Sequence, residues 1–312
     1  MIVYLGLGAN LGERVKNLRK AIERIKNIPN VELLRVSSFY ETAAWGVTNQ
    51  SDFINAAIKI RTTLEPLKLL DELQKIETDI EKIRHEHWAA RLIDIDILLI
   101  DNIKINSDRL TVPHKFLYER DFAKVPLAEI SPLKFKPRAD SVQKIFGSPI
   151  DFNLKLIACV DKNFGIGYDG DLLFRINEDL KNFRRLTLNQ TIIYGRRTLK
   201  TFPNRKPLDS RRNIIFTRSV DKIEGAEIVH SVENLWEILS AENNFVIGGE
   251  KIFNELLPYA TEIYLTVVDA EKISDVKFPD FDDEFICIEN KNLQDKSFKL
   301  QAKKYVRINY AK

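Results

Sequence analysis

Cysteine is scarce here: two residues, Cys159 and Cys287, in a chain of 312. That is too few for a disulfide framework, and the pair lacks metal-ligand spacing. Cys159 sits in the apolar run LKLIACV and is expected to serve as a small buried hydrophobe rather than a nucleophile. Long hydrophobic runs are also missing. None exceeds five residues, far short of the ~20 residues a spanning helix needs. The opening MIVYLGLGANLG has no basic segment ahead of its apolar residues and no cleavage-like site, so a secretory leader is not expected. Neither charge sign is in excess: 48 Lys and Arg against 45 Asp and Glu leave a net charge of +3. A polybasic nucleic-acid surface is therefore not implied. Repeats and low-complexity tracts are absent too. The expectation is a cytoplasmic protein with neither a nucleic acid nor a membrane as partner.

What is present is enough for real cores: 44% hydrophobic residues, including 18 Phe. At about 100–200 residues per domain, the length favours two domains. Residues 2–5 read as a strand, and Val15, Leu18, Ile22 and Ile25 recur at helical spacing. Strand-like runs follow at 31–40 and 53–60. A second amphipathic helix is marked by Leu69, Leu73, Ile76, Ile80 and Ile83, and LIDIDILLI alternates as a strand does. Between 133 and 153 the texture changes, with Pro137 and the cluster Gly147-Ser148-Pro149. The domain boundary is placed at 147–152, giving domains 1–148 and 152–312. Beyond it, strands at 154–160, 191–194, 213–217, 245–248 and 262–268 alternate with helices at 178–186, 232–239 and 251–257. That order predicts an α/β domain around a mostly parallel central sheet. Residues 285–308 read as an antiparallel edge hairpin.

In the front half, Asp94 and Asp96 fall two apart on a strand, so both point to one face, about 6.6 Å apart. Ile93, Ile95 and Ile97 then face the core. Two adjacent carboxylates are costly to bury unless a cation joins them. A hard divalent ion such as Mg²⁺, held by one or two carboxylates and substrate phosphates, would do so. An ion pair with Arg91 is the competing explanation. Lys82, Arg84, His85, His87 and Arg91 lie upstream, and Arg109, Thr111, His114 and Arg120 downstream. Cations, a hydroxyl and carboxylates together suit a metal–polyphosphate substrate. His85 and His87 lack a third zinc ligand. The segment Gly6 to Gly12 misses the dinucleotide-binding spacing by one residue, and a tight turn into a helix capped near Asn10 is the expectation.

Five segments in order, YLGLGANLG, SSFYETAAWG, FINAAI, HWAARLIDIDILLI and LTVPHKFLYERDF, resemble 6-hydroxymethyl-7,8-dihydropterin pyrophosphokinase over about residues 1–146. The resemblance implies an α+β sandwich of ferredoxin-like type and transfer of pyrophosphate from ATP to a pterin hydroxymethyl group. It implies that Asp94 and Asp96 hold two Mg²⁺ ions, with Arg84 and Arg91 catalytic. Gln74, Glu77, Arg109, Thr111, His114 and Arg120 match positions around ATP. Thr42, Phe53, Asn55, Trp88 and Phe122 match the pterin pocket. The sequence departs from the family at Ala89-Ala90, where Gly-Pro is usual, and at Lys82, where an Arg fork is usual.

In the back half, Asp179 falls one turn into a helix beside Leu180 and Phe183. It is either a first-turn acid that favours the helix dipole or a pocket carboxylate facing a cationic or amidine-like ligand edge. The run IIYGRRT places a strand, a glycine and two arginines before a helix, and IIFTR ends a second strand on Arg218. Paired strand-end arginines suit the extra phosphate of NADPH. FVIGGEK ends a strand on two glycines, which allows close approach by a pyrophosphate. A plain turn explains the Gly-Gly pair equally well. LIACVDKNFGIGYDGDLLF, INEDLKNFRRLT, GRRT, RRNIIFTRS, FVIGGEKIF and IYLTVVDAE together resemble dihydrofolate reductase over about 153–309. The resemblance implies that Asp179 binds the pterin and assists protonation, with Thr266 supporting it. Ile157, Leu180, Phe183 and Ile247 would line the pocket, and Arg211 would pair with the substrate's glutamate carboxylate. Arg196, Arg197, Thr198, Thr217, Arg218, Gly248, Gly249 and Lys251 match NADPH contacts. Leu173-Phe174 and Asn177 depart from the usual Pro-Trp and Pro; the lost indole N–H removes a water-binding donor.

A bifunctional folate-pathway enzyme acting on pterin and folate substrates is the leading expectation. The alternative is an active pyrophosphokinase whose reductase-like domain is kept for binding or assembly.

Overall fold

Alternation along IVYLGLGA makes β1 (Ile2–Ala9) the centre of the front half. The computed structural model describes residues 1–43, 51–81, 92–132, 142–145, 148–219, 222–241, 243–281 and 284–308. Arg84, Trp88 and Arg91, with Lys82, His85, His87 and Ala89-Ala90, lie outside them, as does Ile83. The chain divides into two compact units, Met1–Asp151 and Phe152–Lys312.

In the front unit, β1 leads to α1 (Arg14–Lys26), β2 (Val31–Val36), β3 (Phe39–Thr42) and β4 (Phe53–Thr62). Then come α2 (Pro66–Glu81), β5 (Asp94–Ile100), the short pair β6 (Ile105–Asn106) and β7 (Thr111–Val112), α3 (Asp121–Ile130) and β8 (Val142–Ile145). The main sheet runs β5-β1-β4-β3-β8, with β2 also on β4. All its pairings are antiparallel. Leu18, Ile22 and Ile25 of α1 and Leu69, Leu73, Ile76 and Ile80 of α2 are buried, as their spacing requires. Tyr4, Ala57 and Leu98 pack with Ala123, Leu127 and Ile130 of α3. Val3, Leu5 and Leu7 alternate with Tyr4 and so point away from α3, as do Ile95 and Ile97, all buried. Glu129 anchors α3 by accepting from the Ser38 amide (2.8 Å), the Ser38 hydroxyl (2.9 Å) and Tyr40 (3.1 Å).

One expectation is corrected here. Asn10 does not cap α1: the helix starts at Arg14, the N-cap is Glu13, and Asn10 is buried. β1 runs on to Ala9, so Gly6 and Gly8 are strand residues. The turn comes later, with Gly12 at φ 63°.

The back unit is built on β9 (Leu154–Val160), β10 (Gly165–Tyr168), β11 (Asp171–Leu172), α4 (Asn177–Thr187), β12 (Thr191–Gly195), α5 (Arg196–Leu199), β13 (Arg212–Phe216) and β14 (Glu227–Val229). It continues through α6 (Val232–Ile238), β15 (Asn244–Gly248), α7 (Glu250–Leu256), β16 (Ala260–Val268), β17 (Val276–Lys277), β18 (Phe285–Leu293) and β19 (Leu300–Arg307). The central sheet is mixed, in the order β14-β13-β12-β15-β9-β16-β19-β18. From β14 to β16 the pairs are parallel; β16-β19 and β19-β18 are antiparallel, which puts the hairpin at one edge. Phe183 and Leu186 of α4 pack on Ile157, Ile192, Tyr194, Ile215 and Phe245. Among the described residues no helix is long and apolar enough to cross a membrane.

Candidate functional site

The front site is organised by strand register. Asp94 lies opposite Gly8 and Asp96 opposite Gly6 across the β5–β1 pair. On the other side of β1, Gly8 faces Asn55 of β4. Two glycines between the carboxylates and Asn55 leave a hollow where side chains would otherwise stand. A Cβ on Gly8 would come within 3.1 Å of Asn55 Oδ1, and one on Gly6 within 3.2 Å of Leu98. The hollow is lined by Gly6, Gly8, Asp94 and Asp96 together with Thr42, Phe53, Asn55, His114, Arg120 and Phe122. Asn55 and Thr42 are both buried, and the Asn55 amide donates to Thr42 Oγ1 at 2.8 Å. That bond commits the nitrogen, so Oδ1 is the atom beside Gly8.

His114 closes the same hollow. Its Nε2 lies 3.9 Å from Asp96 Oδ2. The Phe116 amide donates to His114 Nδ1 at 3.3 Å, so the neutral ring carries its proton on Nε2, facing the carboxylate. The Arg120 guanidinium stacks 4.9 Å from the Phe116 ring centre and 5.5 Å from that of Phe122. A stacked guanidinium keeps its charge while its plane is fixed. The Ile95 amide, between the two aspartates, donates to Glu77 Oε1 at 2.6 Å. Thus α2 clamps the strand that carries the carboxylates.

The back site gathers at the C-terminal ends of parallel strands, where open α/β sheets bind ligands. Asp179 on α4 lies within reach of two side-chain donors, the Thr266 hydroxyl of β16 and the Cys159 thiol of β9. Burial raises its pKa above the ordinary carboxylate value, and those two donors pull it back down. Cys159 is half-buried rather than fully buried; burial, and then the nearby Asp179 charge, push its thiol up. Leu180 is largely exposed, whereas Phe183 and Ile247 border the core cluster of Ile157. Arg211 lies over Phe183, its Cζ 5.7 Å from the ring centre, and donates to Thr187 Oγ1 at 2.9 Å. Burial and then the charge of Arg184 lower its pKa, which marks an electropositive corner.

Next to this, Gly195 pairs with Phe216 and Tyr194 with Gly248. The register thus sets Arg196, Thr217 and Gly248 at neighbouring strand ends. Arg196 donates to Ser219 Oγ at 2.9 Å. Cβ atoms on Gly248 and Gly249 would each lie 3.7 Å from Thr198 Oγ1, and Gly248 has φ 119°. The bare backbone here leaves room for close approach by a ligand.

A family model described as 7,8-dihydro-6-hydroxymethylpterin-pyrophosphokinase matches residues 4–132, and one described as dihydrofolate reductase matches 153–310. The Haemophilus influenzae 2-amino-4-hydroxy-6-hydroxymethyldihydropteridine pyrophosphokinase is 44% identical over 128 residues, which is 41% of this chain and 80% of that protein. The chain belongs to two enzyme families, the pyrophosphokinases and the dihydrofolate reductases. It is a bifunctional enzyme of the folate pathway. The Aquifex aeolicus pyrophosphokinase is 42% identical over 135 residues, 43% of this chain and 83% of that protein. The bifunctional protein FolKE of Lactococcus lactis is 38% identical over 145 residues, 46% of this chain and 42% of that protein. For the reductase half, the Enterococcus faecalis dihydrofolate reductase complexed with NADP(H) and RAB-propyl is 25% identical, covers 51% of this chain and 98% of that chain, and has a TM-score of 0.47.

Not every residue singled out from the sequence meets at the two sites. In the pyrophosphokinase half, Gln74, Glu77, Arg109 and Thr111 do not line the hollow. Glu77 holds β5, and Arg109 pairs with Asp71 at 2.5 Å. In the reductase half, Arg197, Arg218 and Lys251 are exposed around the Gly248-Gly249 strand end. Sequence reasoning missed Gly6, Gly8 and Cys159. Gly6 and Gly8 were visible as a glycine pair at strand spacing, but their partners come from strands β4 and β5, far along the chain.

Proposed function

We propose that the pyrophosphokinase half binds the pterin against Asn55 and Thr42, with Phe53 and Phe122 as its apolar walls and Trp88 completing the pocket. The ATP phosphates run toward Asp94 and Asp96, flanked by His114, Arg120 and, from the matched positions, Arg84, Arg91, Gln74, Arg109 and Thr111, with Glu77 behind them holding β5. The observation that carries this reading is the register that faces Asp94 and Asp96 with Gly8 and Gly6 and leaves Asn55 on the far side of the same hollow. Among the described residues no group of three or more His, Cys, Asp or Glu is arranged to hold a metal ion. A pair of hard oxygen donors without a third protein ligand suits Mg²⁺, which keeps waters and substrate phosphates as its other ligands. Two such ions, when bound, neutralise the triphosphate charge. Asn55 and the aromatic walls orient the hydroxymethyl oxygen toward the phosphate, and His114 and Arg120 balance negative charge on the transferred group. The βαββαβ core, with β5-β1-β4-β2 order, is read as ferredoxin-like. Asp96→Asn tests the assignment by loss of AMP release from ATP and hydroxymethyldihydropterin.

For the reductase half the proposal is NADPH-dependent reduction of dihydrofolate to tetrahydrofolate. NADPH supplies the hydride. Asp179 holds the pterin edge and shares its proton with the ring, Thr266 orients Asp179, and Arg211 takes the glutamate carboxylate. Ile157, Leu180, Phe183 and Ile247 flank the substrate. Arg196, Arg197, Thr198, Thr217, Arg218 and Lys251 take the cofactor's phosphates, with Gly248 and Gly249 beneath them. A half-buried acid whose pKa burial raises, at the ends of parallel strands, supports Asp179 as the proton-handling group of the site. Both reactions are placed in the cytoplasm.

A further inference from the structure

Arg14 does not line the hollow of the pyrophosphokinase half, and the proposed roles leave it without a part. It is the first residue of α1, a helix with no acidic residue in its first turn and with Glu13 at the N-cap making no side-chain capping bond. A cation at that end opposes the helix dipole, so the stability of α1 does not account for it. Its Nη1 donates to two acceptors at once, the Asp52 carbonyl at 2.7 Å and Glu41 Oε1 at 2.8 Å. Asp52 directly precedes β4, and Glu41 lies on β3. The ladder joining those strands pairs Tyr40 with Asn55 and Glu41 with Ile54, and ends on Thr42 with Phe53. Arg14 therefore ties the two strands together one residue past their last pair.

Arg14 is itself held in place. β1 runs beside β4 as far as the pair Ala9–Ile54. In the turn that follows, Asn17 Nδ2 donates to the Leu11 carbonyl at 3.0 Å and the Arg14 amide to the Gly12 carbonyl at 3.0 Å. The ends of β1, β3 and β4 thus meet at one guanidinium. They supply Gly8, Thr42, Phe53 and Asn55 to the hollow. Those four are close-packed: a Cβ on Gly8 would lie 3.1 Å from Asn55 Oδ1 and 3.8 Å from Phe53 Cδ1, and Asn55 is bonded to Thr42.

We propose that Arg14 is a positioning residue for the pyrophosphokinase reaction: with Glu41 it fixes the spacing of β3 and β4 where Thr42, Phe53 and Asn55 receive the pterin. The inference rests on that pocket being the pterin site. The end of a two-strand ladder is where pairing loosens first, and here the end pair is Thr42–Phe53 itself. A displaced Thr42 takes away the acceptor that fixes the Asn55 amide. Asn55 then no longer presents a set oxygen and a set nitrogen to a ring edge. Asp94 and Asp96 pair with the far side of β1 and have no contact with this tie in the register. The effect of Arg14 therefore falls on the pterin rather than on ATP.

The test is steady-state AMP release by the full chain with hydroxymethyldihydropterin and ATP varied in turn, in Arg14→Ala, Arg14→Lys and Glu41→Gln, with Asn55→Ala measured alongside. Arg14→Ala is expected to raise KM for the pterin by about tenfold, the scale of one charge-assisted hydrogen bond, and to leave KM for ATP unchanged. Arg14→Lys keeps the charge without the planar fork and should fall between the parent and Arg14→Ala. Glu41→Gln keeps an acceptor oxygen and should give a smaller rise than Arg14→Ala. A parent KM for the pterin in Arg14→Ala, or an equal rise in both KM values, overturns the positioning role, and a lowered melting temperature does not rescue it. Should Arg14→Ala fail to fold, parent KM values in both Arg14→Lys and Glu41→Gln overturn it. A parent KM for the pterin in Asn55→Ala overturns the pocket, and the role of Arg14 with it.

Discussion

Gly8 stands opposite Asp94 on one side of β1 and opposite Asn55 on the other, so one missing side chain separates the proposed metal-binding carboxylate from the proposed pterin-reading amide. A methyl group at Gly8 would meet Asn55 Oδ1 at 3.1 Å. Asn55 is tied to Thr42 and cannot turn aside without losing that bond. Gly8→Ala is therefore expected to lower pyrophosphoryl transfer by about a hundredfold, the scale of an ångström-level misplacement at a reacting centre. NADPH oxidation by the same preparation should be unchanged. Steady-state assays of both reactions check this.

Glu77 should matter through the strand rather than through ATP. It accepts from the Ile95 amide between the two aspartates. Glu77→Ala leaves that amide without this acceptor, a loss of about 1–3 kcal/mol for a buried group. The expected result is a lower melting temperature with a modest change in KM for ATP. A large rise in KM with no loss of stability would return Glu77 to direct ATP contact.

The reductase should read the charge on its cofactor. Arg196 projects from the end of β12 beside Thr217 of the next strand. Arg196→Ala is expected to raise KM for NADPH by about tenfold or more, the worth of a charge-assisted hydrogen bond, and to leave KM for NADH nearly unchanged. Initial-rate measurements with the two cofactors test it.

Acid should weaken the edge of the reductase sheet. Arg212 of β13 grips Glu227 of β14 with two bonds, 2.7 and 2.9 Å. Those bonds hold the Glu227 carboxyl below its usual pKa. A depressed folded-state pKa gives stability that is present above the unfolded value near 4.5 and fades as pH falls through the folded one. The pair is about half exposed, so its contribution is under about 1 kcal/mol. Glu227→Gln should lower the melting temperature slightly at pH 7, with the difference shrinking as pH falls below 4.5 and through the folded-state pKa of Glu227.

Local patterns made much of this fold legible. Apolar segments marked β1 and β9, alternation marked β5, and helical spacing marked α1, α2 and α4, whose apolar stripes face a sheet. α3 was not legible: Pro126 interrupts its reading as a helix, although Ala123, Leu127 and Ile130 are buried from it. β10, β11 and β17 have four, two and two residues, too short to show a period. Asp94 and Asp96 announced themselves, being carboxylates on an apolar strand. Gly6, Gly8 and Cys159 did not, since their meaning comes from neighbours far along the chain: Asn55 and Asp94, 47 and 86 residues from Gly8; Asp96, 90 residues from Gly6; and Asp179, 20 residues from Cys159.

The central claim is two independent active sites on one chain. The most direct measurement follows AMP release from ATP with hydroxymethyldihydropterin, and NADPH oxidation with dihydrofolate, on the same preparations of the parent, Asp96→Asn and Asp179→Asn proteins. The parent should show both activities. Asp96→Asn should lose the first by at least about a hundredfold and keep the second, and Asp179→Asn should do the reverse at neutral pH. A parent chain lacking either activity, or parent-level AMP release in Asp96→Asn, would contradict the account.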